Sequence, residues 1–72
     1  RMPAVLYKDL VIQGNAIDGI RAYHQATGHE KWKKLIRGGV EMGAVVHRDR
    51  VFFGANDSFF YALNAQTGQV EW

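Results

Sequence analysis

Cysteine is absent from these 72 residues, so neither a disulfide nor a thiolate-bound metal can reinforce a thin core. That absence says little about compartment. Long hydrophobic runs are missing too: no stretch approaches the roughly 20 apolar residues that a membrane span needs. Charge of one sign is not in excess. The formal net charge is +2 and the charged fraction 22%, which gives no argument for a nucleic-acid partner, and none is expected. The opening Arg1-Met2-Pro3 has no charged-then-apolar leader, as expected of a processed or excised segment. The apolar residues show no 3.6-residue stripe, which excludes amphipathic helices. A chain this short buries only about 60% of its unfolded surface by itself.

What is present is a 40-residue self-repeat. Aligning 1–32 with 41–72 gives ten identities: Met2/Met42, Ala4/Ala44, Val5/Val45, Asp9/Asp49, Val11/Val51, Gly14/Gly54, Ala22/Ala62, Thr27/Thr67, Gly28/Gly68 and Trp32/Trp72. A period near 40 marks a unit that cannot bury its own faces and must stack on further copies.

Each copy reads as four short strands. In the second, 44–47 and 50–54 are β-branched and aromatic runs divided by a tight turn at Arg48-Asp49. Asn56-Asp57-Ser58 turns the chain into a third strand, 59–64, and 65–68 turns it into a fourth beginning at 69–72. The first copy runs in parallel over 4–7, 10–14, 20–24 and 29 to about 36, before Gly38-Gly39 breaks the chain. The fold class is therefore all-β. Strand spacing near ten residues admits a sandwich, barrel or propeller, and the repeat selects the β-propeller. The reading is two consecutive four-stranded antiparallel blades, 1–37 and 38–72, forming part of a larger ring. In Phe59-Phe60-Tyr61-Ala62-Leu63 both alternating faces are apolar, so this strand is expected to be covered on both sides. Phe52, Phe53, Phe59 and Phe60 read as core between blades, or as a sticky patch where a terminal blade face is left uncovered. Arg21, in place of Tyr61, is expected to lay its stem along the blade with its head in solvent.

Both copies close on one signature, Ala22-x-His24-x-x-Thr27-Gly28-x-x-x-Trp32 and Ala62-x-Asn64-x-x-Thr67-Gly68-x-x-x-Trp72. Glycine suits a left-handed turn position, threonine can bond the turn backbone, and alanine leaves room for an indole. The signature resembles the tryptophan-docking motif of pyrroloquinoline-quinone-type (PQQ-type) β-propeller repeats, over nearly the whole chain. The resemblance implies that each Trp lies between the Ala of its own blade and the Gly turn of the next. Trp32 would then lie between Ala22 and Gly68, while Trp72 would lie on Ala62 and reach for a further blade. The family's Asp is His24 here in the first copy and Asn64 in the second. Asn keeps the turn hydrogen bond more readily than His, so the first turn is expected to be the looser.

Outside the signature, chemistry is sparse. Asp9, Asp18, Asp49 and Asp57 each fall in turns, where Asp serves the local backbone. His24, His29 and His47 lack ligand spacing, and no metal site is expected. Lys31, Lys33, Lys34 and Arg37 read as a solvated strand edge. Glu41, entering the innermost strand from a flexible Gly38-Gly39 link, is the single candidate for a cofactor-facing group. No catalytic constellation is visible, and no cofactor is expected in this segment.

The resemblance extends to propellers of the outer-membrane assembly lipoprotein type. It implies a non-catalytic protein-interaction scaffold, periplasmic or on the cell surface, partnered by further blades and other proteins without membrane insertion. One alternative is a segment of a PQQ- and calcium-dependent quinoprotein alcohol or sugar dehydrogenase. Another is the sensory ectodomain of a membrane receptor or kinase.

Overall fold

The computed structural model describes residues 3–41 and 43–72, so the repeat pair Met2 and Met42 lies outside the described residues. One antiparallel sheet runs in chain order through β1 (Val5–Tyr7), β2 (Leu10–Asn15), β3 (Gly19–His24) and β4 (Glu30–Leu35). A second holds β5 (Val45–His47), β6 (Arg50–Gly54) and β7 (Phe60–Asn64). The protein is all-β; among the described residues there is no helix, hence none long and apolar enough to cross a membrane.

The repeat is kept in the register. Val5, Ile12, Ala22 and Trp32 are cross-strand neighbours in the first sheet, and Val45, Phe52 and Ala62 in the second. The β1–β2 and β5–β6 loops are two residues long, and Lys8 (φ 53°) and Arg48 (φ 57°) both take left-handed backbone.

The fourth strand of the second copy, expected from 69, is reduced to a single bridge between Leu63 and Val70. Ala62 and Trp72 nevertheless exchange backbone bonds at 2.7 and 3.3 Å, the register that Ala22 and Trp32 hold in the first copy. The first copy's fourth strand continues to Leu35, whereas the equivalent positions of the second would be 73–75.

One apolar cluster joins both sheets. Tyr7, Leu10, Ile12, Ile20, Ala22, Trp32, Ile36 and Val40 meet Val51, Phe53, Leu63 and Ala65, all buried. By the period-two alternation of strands, the first sheet contributes the face that holds Ile12, Ala22 and Trp32. The second contributes its opposite face, holding Val51, Phe53 and Leu63. The packing is head-to-tail, with like faces pointing the same way. Among the described residues only β1 and β5 bring backbones of the two sheets within 8 Å (Cα–Cα). The sheets converge there, and side chains fill the space between the remaining strands.

Two expectations about aromatic burial fail. Phe53 is core, but Phe59 precedes β7 and is 67% exposed, and Phe60 is 56% exposed. β7 is covered on its Tyr61 and Leu63 face, while on its Phe60 and Ala62 face Phe60 lies beside Trp72, which also meets Phe52. Ring centroids there are 5.9 Å apart for Phe60–Trp72 and 5.8 Å for Phe52–Trp72.

Candidate functional site

Residues 24–29 and 64–69 are two copies of one turn. His24 N–H donates to His29 O (2.8 Å) and Gly28 N–H to His24 O (2.7 Å). Asn64 N–H donates to Gln69 O (2.8 Å) and Gly68 N–H to Asn64 O (2.7 Å). Gly28 and Gly68 share a φ of +78°, a conformation that a Cβ disfavours. Thr27 and Thr67 hydroxyls accept from the N–H groups of His29 (3.2 Å) and Gln69 (3.3 Å). Each turn is tied back to the first hairpin of its own sheet, through Gln25 N–H to Asp9 O and Ala65 N–H to Asp49 O, both 2.8 Å.

The backbone bonds of the two turns are equally short, so no difference in tightness is visible there. The side chains do differ. Asn64 Oδ1 accepts from Gln66 N–H (2.9 Å) and Thr67 N–H (3.1 Å). Among the described residues His24 makes no such bond, and its Nδ1 lies 3.9 Å from Asp9 Oδ2.

Around Trp32 the two turns part company. The indole is 6% exposed and donates its N–H to Ala65 O at 2.9 Å. Its ring lies across Gly68 so closely that a Cβ there would stand 2.6 Å from two ring carbons and 2.9 Å from a third. Gly28 has open space: nothing lies within 4 Å of a Cβ placed on it. Trp72, the counterpart of Trp32, is 63% exposed.

Sequence reasoning missed the polar ties across this seam. Tyr7 Oη donates to Asp49 Oδ1 at 2.7 Å, joining β1 to the β5–β6 loop. Asp49 hydrogen bonding, followed by burial, raises the Tyr7 pKa above its usual value, because a phenolate would face a carboxylate. Gly38-Gly39, expected to be flexible, is held instead. Val40 N–H donates to Asn15 O (2.7 Å), Asn56 N–H to Gly39 O (3.0 Å) and Asn56 Nδ2 to Gly38 O (2.8 Å). Gly39 (φ +74°) is buried so tightly that a Cβ would come within 2.4 Å of Asn15 O. The bonds of Val40 to Asn15 and of Gly39 to Asn56 are long-range, and only the adjacent glycines hinted at them.

The remaining candidates are scattered. Arg21 is not solvated at its head: Nη1 and Nη2 reach Asp18 Oδ1 (2.9 Å) and Oδ2 (3.1 Å), and Nε lies 3.5 Å from Glu30. Hydrogen bonds from Arg21 and then Asn15 lower the Asp18 pKa to about 2. Asp57 accepts from Tyr61 Oη at 2.5 Å and from Phe59 N–H at 3.0 Å. The Tyr61 bond is also the main reason the Asp57 pKa is lowered and that of Tyr61 raised. Lys31, Lys33 and Arg37 are exposed on and just after β4, and Lys34 is half-buried. An open groove of about 470 Å³ runs past Ile17, Asp18, Leu35, Ile36, Arg37 and Gly38.

Glu41 is exposed and has no hydrogen-bond or ion-pair partner among the described residues. A calcium ion takes about six to eight oxygen ligands. Among the described residues no three His, Asp or Glu side chains come close enough together to hold a metal. The donors of this segment do not fit a quinone–calcium centre by themselves.

No family model matches this chain. Over 54 residues it is 37% identical to methanol dehydrogenase (cytochrome c) subunit 1 of Methylobacterium organophilum. It is equally similar, over the same length, to the protein of that name from Methylorubrum extorquens. The match covers 74% of this chain, but the chain spans only 9% of the length of either relative. A stretch that long must include the Gly38-Gly39 link, so the similarity runs from one copy of the repeat into the other.

Proposed function

We propose that this chain is a two-unit segment of a PQQ-type β-propeller that serves as a protein-interaction scaffold in the cell envelope. The head-to-tail seam carries the reading. Two sheets converge at β1 and β5, pack unlike faces together and leave one unlike face free at each end, the arrangement from which a ring of blades is built. In that ring Ala22, Thr27, Gly28 and Trp32, with Ala62, Asn64, Thr67, Gly68 and Trp72, are docking elements, and 1–37 and 38–72 are successive blades. Asp18, Asp49, Asp57 and Asn64 are engaged in turns and ties, which suits a part built for recognition by its faces. Its place is extracytoplasmic, periplasmic or at the cell surface, on the strength of the propeller resemblance.

The identity to methanol dehydrogenase subunits favours a second reading, a stretch of a quinoprotein dehydrogenase whose quinone and calcium ligands come from other blades. A native mass spectrum of the complete ring that contains this segment, recorded with PQQ and calcium supplied, separates the two. The scaffold reading expects protein-only masses. An added mass of quinone plus calcium, with methanol-dependent dye reduction, overturns it in favour of the dehydrogenase.

A further inference from the structure

We infer that the free edge of the first sheet, strand β4, takes up an extended acidic segment of a partner protein as a fifth strand. The inference rests on a strand edge and its charges, and it applies whichever of the two readings above describes the ring.

β4 (Glu30–Leu35) pairs on one side only, with β3. In an antiparallel pair the backbone groups of successive residues point alternately toward the partner and away from it. Lys34 O points toward β3, where it would collide with a Cβ on Gly19, and Ile36 N–H donates to Asp18 O at 2.8 Å. Lys33 and Leu35 therefore turn their N–H and C=O groups outward, and among the described residues nothing pairs with them. This edge does not depend on what adjoins the two sheets. They converge at β1 and β5, and β4 is the opposite margin of its sheet. A further sheet packed in the same way on either side would also converge on the β1 and β5 margins and leave the β4 edge facing out.

Lysines on a strand edge ordinarily deter pairing with other edges. Two observations point beyond that role. The cations are uncompensated: Lys31, Lys33, Lys34 and Arg37 make no hydrogen bond or ion pair among the described residues, while the acids nearby are committed, Asp18 and Glu30 to Arg21 and Asp57 to Tyr61. Nor does the blade need them, since the second copy carries Glu71, paired with Arg50, at the position of Lys31. Cations that repel a second lysine-bearing edge attract an acidic one, and opposite charges directly across a strand pair stabilise it. The two faces of the edge set the alternation of the incoming strand. Lys33 lies on one face, and Trp32 with the stem of the half-buried Lys34 lies on the other. Acidic side chains on the Lys33 face and apolar ones on the Trp32 face match this edge. Main-chain bonds then supply affinity and the alternate side chains specificity. Nucleic acid and anionic lipid share the charge but lack the peptide groups that would pair with Lys33 and Leu35, so a protein strand is the occupant.

The test uses the complete ring that contains this segment and, as probe, a fluorescein-labelled octapeptide of alternating Glu and Val. Fluorescence anisotropy is expected to show saturable binding below about 1 mM that weakens as salt rises. Lys31→Glu combined with Lys33→Glu, both exposed positions outside the core, should weaken it roughly tenfold or more. The same octapeptide methylated at every backbone nitrogen keeps its charges but cannot join a sheet, and it should bind no better than a peptide of alternating Lys and Val. Hydrogen exchange of the Lys33 and Leu35 amides should be fast in the free ring and slow with the probe bound. Absence of binding at about 1 mM overturns the proposal. So does equal binding of the methylated peptide, or exchange at Lys33 and Leu35 that is already slow without the probe. Tighter binding to phosphatidylglycerol vesicles or to duplex DNA, lost in the same variant, would assign the cations to a membrane or a nucleic acid and would also refute it. The mass spectrum that separates scaffold from dehydrogenase is independent of these readouts, so either idea can fail without the other.

Discussion

Gly28 and Gly68 take the same φ of +78° in the same turn, yet only Gly68 lies beneath an indole, so one substitution made at each position isolates the contact with Trp32. An alanine in left-handed backbone costs about 1–2 kcal/mol, partly offset by about 0.4–1 kcal/mol from the restricted unfolded chain. That balance is common to both sites, and at Gly28 it is the whole effect, a net loss of about 1 kcal/mol. At Gly68 the new Cβ would stand 2.6 Å from two Trp32 ring carbons, about 1 Å inside ordinary carbon–carbon contact. The indole has little freedom to retreat, because its N–H is held by Ala65 O and its strand is paired to Ala22. Overpacking of this kind costs about 1–3 kcal/mol, with complete loss of the docked ring, about 3–5 kcal/mol, as the ceiling. Gly68→Ala should therefore be less stable than Gly28→Ala by about 2 kcal/mol, or roughly 8–16 °C in melting temperature for a domain this small. Paired urea titrations and thermal melts measure the difference. Equal midpoints for the two variants would refute the argument that Trp32 bears on Gly68.

Three further outcomes follow from the same contacts. Trp32→Ala, removing a 6% exposed ring and its bond to Ala65, should cost about 3–5 kcal/mol in urea unfolding, and a loss below about 1 kcal/mol would contradict its place in the core. His24→Asn should acquire the two N–H bonds that Asn64 makes and gain about 0.5–1 kcal/mol; a clear loss would reveal a role for His24 in its contact with Asp9. Asp18 has a folded pKa near 2, below its unfolded value, so its contribution is complete above the unfolded pKa near 4. It disappears as the pH falls from about 4 towards 2, and Asp18→Asn should flatten that part of the stability profile. A slope unchanged by the substitution would mean that the Arg21–Asp18 pair does not differ between folded and unfolded chains.

Much of the fold was legible before any contact was known. Strands β1–β7 lie within a residue or two of the apolar runs read from the sequence, because short runs bounded by Gly, Asn and Asp leave the backbone few choices. The aromatic run 59–63 misled because its composition demands cover on both faces, whereas the cover on the Phe60 face is not within this pair of sheets. Gly38-Gly39 misled for a different reason. Adjacent glycines signal freedom locally, but Asn56, far away in sequence, bonds to both carbonyls, and Asn15 holds the following Val40. Glu41 had only its position to recommend it, and the fold brings it no partner among the described residues.

The sequence by itself determined the all-β class, the 40-residue period and the conformation of both turns, since glycine, threonine and asparagine act on backbone within a few bonds. Only the tertiary structure decided that Trp32 covers Gly68 while Gly28 stays open, that Tyr7 reaches Asp49, and that Phe53 is buried while Phe60 is not. The physical reason lies in the repeat itself. Equivalent residues carry equivalent local preferences, so nothing local distinguishes the copy that inserts from the copy that receives. That distinction arises only when one sheet's face is pressed against the opposite face of the next.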